Sequence, residues 1–151
     1  MVQIAFTIPG RLGGKGRARS TIIPGRAGKK AFVSNYTPPE TRATEAMIRE
    51  IAQRAMVGVP LFDGAVELTV LIFQTMPPSW SKKRQQASVC MTVKPDADNV
   101  VKAIGDACNL IVWRDDVLIS DLHVKRRYVR DGGKDRVEIV VCDAPDERIL
   151  L

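Results

Sequence analysis

The 151-residue chain contains one histidine, His123. Ser/His/Asp and Cys/His catalysis need a histidine beside a nucleophile, and His123 sits far from any suitable one, inside an alternating strand pattern. It is read as a structural or surface residue. Cysteine is scarce too: Cys90, Cys108 and Cys142 are widely spaced, with no Cys-x-x-Cys pair. That set argues against a disulfide framework and a zinc site, and fits small core residues in a reducing cytosol. No apolar run approaches membrane-spanning length, and Met1 to Pro9 lacks the charged start and apolar stretch of a signal peptide. The expectation is a soluble, cytoplasmic protein with no membrane partner.

Negative charge is missing from long stretches. No acid precedes Glu40, yet Arg11, Lys15, Arg17, Arg19, Arg26, Lys29 and Lys30 all lie there. A second acid-free interval, Leu68 to Pro95, carries Lys82, Lys83, Arg84 and Lys94, and a third basic cluster is Lys125, Arg126 and Arg127 with Arg130. The formal net charge is +6 and the pI about 9.5. An anionic partner follows, nucleic acid before a membrane surface. Length and an apolar content of 45% fit one globular domain, residues 1–151, with no internal repeat or linker.

The chain opens with an alternating strand, Val2 to Ile8, ended by Pro9-Gly10. Residues 10–34 read as a basic, glycine-rich loop followed by a hairpin of Ser20 to Ile23 and Lys30 to Ser34. The loop is no P-loop, because Gly16 follows Lys15 where a Ser or Thr should hold magnesium. Thr37 is expected to cap a helix with Pro38 in its first turn and Glu40 closing a capping box. Ala43, Met47, Ile51 and Ala55 then repeat at helical spacing up to Gly58. Val66 to Phe73 reads as a strand and Trp80 to Ser88 as a short helix. Asp98 is expected to cap a helix over Asn99 to Ile111, and Trp113 to Asp116 to form a turn. A long strand, Val117 to Val129, would then turn at Gly132-Gly133 into a hairpin with Arg136 to Cys142. A polar tail, 144–151, closes the chain. Trp80 and Trp113 are read as packing residues rather than platforms for bases.

Against that basic background, Asp96, Asp98, Asp106, Asp115 and Asp116 gather with Lys102 within 21 positions. Asp98, Lys102 and Asp106 follow at i, i+4 and i+8, so they share one helix face. Carboxylates suit a hard divalent cation, which acidifies water and neutralises phosphoryl charge, and Lys102 suits a scissile phosphate or leaving oxygen. Each acid also has a plain reading: Asp98 as a cap, Asp106 as a partner of Lys102, Asp115 and Asp116 as an ordinary turn. The set favours chemistry, because crowded like charges repel unless a cation joins them.

Lys94-Pro95-Asp96-Ala97-Asp98-Asn99-Val100-Val101-Lys102 through Asp106, then Trp113-x-Asp115-Asp116, resembles the RusA family of Holliday junction resolvases. The pattern K-P-D-x-D-N-x-x-K-x-x-x-D, a short gap and D-D matches without insertion. Lys15, Arg17 and Arg19, the Thr-Pro-Pro helix start and the Pro77 to Lys83 stretch extend the similarity over most of the chain. The resemblance implies a small α+β domain, a mixed or antiparallel sheet packed with two main helices, in a homodimer. It implies that Asp96, Asp98 and Asp116 bind Mg2+ (with Mn2+ as a substitute), with Asp115 a further candidate and Lys102 the catalytic lysine. It also implies a branched, four-way DNA partner cut by paired symmetrical nicks through a metal-activated water.

The candidate DNA-binding residues are Lys15, Arg17, Arg19, Lys82, Lys83, Arg84, Lys94, Lys125, Arg126 and Arg127. The alternatives are a less selective nuclease acting on flaps and other branched DNA, and a nucleic-acid-binding module whose acids only cap and pair.

Overall fold

The computed structural model describes residues 2–13, 19–26, 28, 30–130 and 132–145. Its centre is a four-stranded mixed sheet built from β1 (Gln3–Pro9), β4 (Val66–Thr75), β5 (Ile119–Val129) and β6 (Arg136–Asp143) in the order β1-β6-β4-β5. β2 (Arg19–Ile23) and β3 (Phe32–Tyr36) form a separate antiparallel ribbon. α1 (Pro39–Ala55), α2 (Lys82–Ala87) and α3 (Ala97–Cys108) complete the regular elements. The expected α+β class and mixed sheet with two main helices are observed.

The topology follows from which strands can be buried. β6 pairs antiparallel with both β1 and β4, so β1 and β4 run parallel, and β4 also pairs parallel with β5. Strands that run parallel cannot be joined by a tight turn, and a helix lies in each connection: α1 between β1 and β4, which flank β6, and α3 between the neighbours β4 and β5. Every second residue of β1, β4 and β6 points to one buried face: Ile4 and Ile8, then Val66, Leu68, Val70 and Ile72, then Val137, Ile139 and Val141. Ile48 and Ala52 of α1, and Val100, Ile104, Ala107 and Cys108 of α3, close the same core. Each fully buried aliphatic side chain contributes roughly 1.5–3 kcal/mol.

Several local expectations are corrected. β5 and β6 do not form a hairpin around Gly132-Gly133; they lie on opposite sides of β4. The reason is polarity. Ser120, Asp121, His123 and Lys125 are exposed and suit β5 to an edge, whereas alternating Val137, Ile139 and Val141 suit β6 to the interior. The outer edge of β5 is partly closed by residues 89–93, through Tyr128 N–H to Val89 O (2.9 Å) and Met91 N–H to Arg126 O (3.3 Å).

The N-cap of α1 is Pro38, with no side-chain capping bond from Thr37. α3 starts at Ala97, so Asp96 and not Asp98 holds its N-cap position, again without a side-chain capping bond. β5 begins at Ile119 because Asp116–Leu118 form a 3-10 turn. Of the cysteines, Cys108 is a core residue, Cys142 is partly buried, and Cys90 is exposed. Burial pushes the Cys108 thiol up to about 12, against the charge of Arg49. Among the described residues, no helix is long and apolar enough to cross a membrane.

Candidate active site

α3 is amphipathic in a way that serves two purposes. Val100, Ala103, Ile104 and Ala107 go into the core. Asp98, Val101, Lys102 and Gly105 fall at i, i+3, i+4 and i+7 on the other side and line one cleft. The opposite wall is Asp116, Ile119 and Leu122, from the 3-10 turn and the start of β5. The cleft holds about 470 Å3. Two carboxylates and a lysine, carried by a helix and by the turn that follows it, therefore line one cleft together with Val101, Ile119 and Leu122.

A buried tryptophan positions Asp116. Trp113 is fully buried, and its indole Nε1–H donates to Asn109 Oδ1 at 2.9 Å. Backbone bonds tie the same turn to its neighbours: Leu110 N–H to Trp113 O (2.8 Å) and Arg114 N–H to Phe62 O (3.1 Å). Two residues later, Asp115 Oδ1 accepts from Val117 N–H at 3.0 Å and caps the 3-10 turn.

The Asp116 carboxylate rests against Gly105, where an added Cβ would lie 3.6 Å from Asp116 Oδ2. Asp116 is exposed as a residue. Desolvation nonetheless pushes the Asp116 carboxyl above its ordinary value near 3.8, assisted by a hydrogen bond with Asp115 and by the negative charges of Asp115 and Asp106.

The other expected residues are distributed as follows. Asp96 is exposed at the head of α3, two residues before Asp98, and is not part of the cleft lining. Asp106 is half-buried on α3 and close enough to Asp116 to act on its charge. His123 is exposed, with Nε2 3.9 Å from Glu67 Oε1. Lys82, Lys83, Lys94 and Lys125 are exposed. The Arg84 guanidinium lies 3.7 Å over the Trp80 ring, which meets Tyr128 edge-on at 5.2 Å. Arg126 donates to the Val93 carbonyl and Arg127 to the Arg126 carbonyl, so both guanidinium groups hold backbone. Lys15 and Arg17 lie outside the described residues, as does the side chain of Arg19.

Gly105 is a site residue that the sequence pattern alone does not single out. A signal is nonetheless there: a glycine inside a helix, seven residues from Asp98 on the carboxylate face, where alanine would favour the helix.

The cleft chemistry fits a hard cation. Its acceptors are carboxylate oxygens, without sulfur or imidazole, and a cation would relieve the desolvation and the neighbouring negative charges that raise Asp116. Among the described residues, no three carboxylate, histidine or cysteine side chains form a ready cage. Magnesium does not need one, since one or two carboxylates with water and substrate oxygens suffice.

Comparison with known proteins adds two findings. A family model described as Endodeoxyribonuclease RusA matches residues 9–142. A Bacillus subtilis (strain 168) protein, "Uncharacterized protein YqaN", is 29% identical over 144 residues, covering 91% of this chain and 94% of that protein.

Proposed function

The chain belongs to the RusA family of endodeoxyribonucleases, which resolve Holliday junctions, and we propose that it nicks four-way DNA in pairs with Mg2+ held by Asp98 and Asp116. The carrying observation is the cleft in which Asp98, Lys102 and Asp116 meet. Asp96, which makes no capping bond at the head of the same helix, is proposed as the third carboxylate of the set. Mn2+ should substitute, being a hard ion that accepts the same oxygen ligands.

A divalent cation bound there would supply Lewis-acid polarisation of the phosphoryl oxygens and acidification of water. The residues of the chain do the rest. Asp98 and Asp116 would hold the cation between them, and Asp115 caps the turn that carries Asp116. Lys102 brings a positive charge to the same wall, suited to the scissile phosphate or to the departing 3′ oxygen. Water adds to phosphorus, the bond to the 3′ oxygen breaks, and that oxygen takes a proton. A 5′-phosphate and a 3′-hydroxyl remain, a nick that can be ligated.

Resolution needs two cuts related by a two-fold axis, which a C2 homodimer with two identical clefts supplies. Exposed Lys82, Lys83, Lys94 and Lys125 would bind phosphates and recognise junction shape rather than sequence. The test is cleavage of a synthetic four-way junction with products mapped on all four strands. Paired cuts at symmetrical positions, present in Mg2+ and absent in EDTA, are expected. Equal cutting of fork, flap and linear duplex would replace junction selectivity with a broader nuclease. Binding without any scission in Mg2+ or Mn2+ would contradict the proposal.

A further inference from the structure

β2 and β3 pair with each other and, among the described strands, with no other. A lone two-stranded ribbon is marginal in water, and apolar side chains left open on it ask for a partner. The base of this ribbon is polar: Ser20 pairs with Asn35 and Thr21 with Ser34, and Ser20 Oγ donates to Asn35 Oδ1 at 2.6 Å. The other end is not. Ile22 pairs with Val33 and Ile23 with Phe32, and these four are 70%, 62%, 39% and 58% exposed.

Cross-strand partners share a face, and neighbours along a strand alternate between faces. Ile22 and Val33 therefore project from one face of the ribbon, Ile23 and Phe32 from the other. A ribbon that docked flat on a protein would keep its apolar side chains on one side. This one is apolar on both, which suits a slot with apolar surface on each wall.

Charge selects the partner. Residues 19–36 include Arg19, Arg26, Lys29 and Lys30 and no acid, and Arg26 and Lys30 are exposed in the loop that joins the strands. A second copy seated on this ribbon would set like charges together. DNA offers flat apolar base faces and an anionic backbone at once. Thickness then selects the kind of DNA. A ribbon with side chains on both faces is about 10 Å thick, the spacing of packed sheets. Stacked bases are only about 3.4 Å apart, so an intact duplex cannot admit it. The centre of an opened four-way junction can, because base-pair faces there have lost their neighbours.

We propose that the β2–β3 ribbon enters the branch point of the bound junction. There Ile22, Ile23, Phe32 and Val33 cover the end faces of the terminal base pairs, and the basic loop meets phosphates beyond them. Apolar side chains pressed against base steps are a recurrent way of holding DNA out of its regular stack. The inference rests on the junction-resolving reading and adds the element that chooses a branch over a duplex.

The experiment compares wild type with the double variant Ile23→Thr/Phe32→Thr, threonine being a good strand former. Affinity for a synthetic four-way junction and for linear duplex is measured in EDTA, with melting temperature and sedimentation alongside. Junction affinity should fall about fivefold or more, the range of lost base contacts. Duplex affinity should stay, because every basic residue is kept, and so should the melting temperature, because both side chains are exposed. If the double variant does not fold, photocrosslinking from Phe32→p-benzoylphenylalanine decides. Adducts at branch-point nucleotides support the proposal, and adducts confined to the arms overturn it.

Unchanged junction affinity overturns the proposal, as does equal weakening on junction and duplex. A variant that melts lower and dissociates into smaller species would make the ribbon a contact between copies. Loss of binding to phosphatidylserine vesicles with junction affinity kept would make it a membrane contact. Binding is read without cleavage, so the two readings fail separately. A ribbon-dependent junction binder that never cuts contradicts the nuclease, and a junction cutter indifferent to the ribbon contradicts the insertion alone.

Discussion

The Asp116 carboxylate packs on Gly105, and a methyl group added to that glycine would sit 3.6 Å from Asp116 Oδ2. This packing joins the two segments of the site. One is a helix whose apolar side is fixed in the core. The other is a turn held by the fully buried Trp113.

The close approach predicts a graded response at Gly105. Gly105→Ala leaves ordinary van der Waals separation and should stabilise α3 by about 0.8–1.0 kcal/mol, with cutting retained. Gly105→Leu must displace Asp116 and should lower junction cleavage at least about tenfold in a folded protein. Thermal melts and single-turnover cleavage measure both. A leucine variant with wild-type cutting would mean that the close approach is incidental.

Asp116 should trade stability for function. Its raised pKa means that the folded chain holds the proton more tightly than the unfolded chain, so ionisation is penalised in the fold. The penalty is absent below the ordinary value near 3.8, where both states are protonated, and grows as pH rises through the folded value. In EDTA, Asp116→Asn should therefore melt above wild type near neutrality, with the gap closing toward about pH 3. Melting curves across that range test it. A variant less stable than wild type at neutral pH would contradict the penalty on ionising Asp116 in the fold.

The basic residues divide into two groups with different expected phenotypes. Lys82 and Lys83 are exposed on α2, so replacing both with alanine should weaken DNA binding. The slope of log affinity against log salt should flatten by about 0.9 for each phosphate that is no longer neutralised. Arg126 donates to the Val93 carbonyl. Arg126→Ala should instead destabilise the fold by about 1–3 kcal/mol with the salt slope kept. Affinity against salt, together with urea melts, separates the two.

Local periodicity makes most elements legible, and spacing makes the site legible. Lys102 follows Asp98 by four, which places both on one face of any helix, and that face is the one that meets Asp116. A β5–β6 hairpin is the wrong expectation because Gly132-Gly133 signals a turn without saying which strand the chain joins next. Burial makes that choice, since polar β5 fits an edge and apolar β6 an interior position. The caps differ because Thr37 and Asp98 have suitable chemistry, but each helix starts at a position set by its packed face.

The most direct test is single-turnover junction cleavage by Asp98→Asn, Asp116→Asn and Lys102→Ala over a range of Mg2+ and Mn2+ concentrations, with junction binding measured in parallel. Both asparagine variants should lose cutting at every metal concentration while binding is kept or tightened, and Lys102→Ala should cut slowly with an unchanged metal requirement. Wild-type cutting by either asparagine variant would contradict the claim that these two carboxylates share one ion.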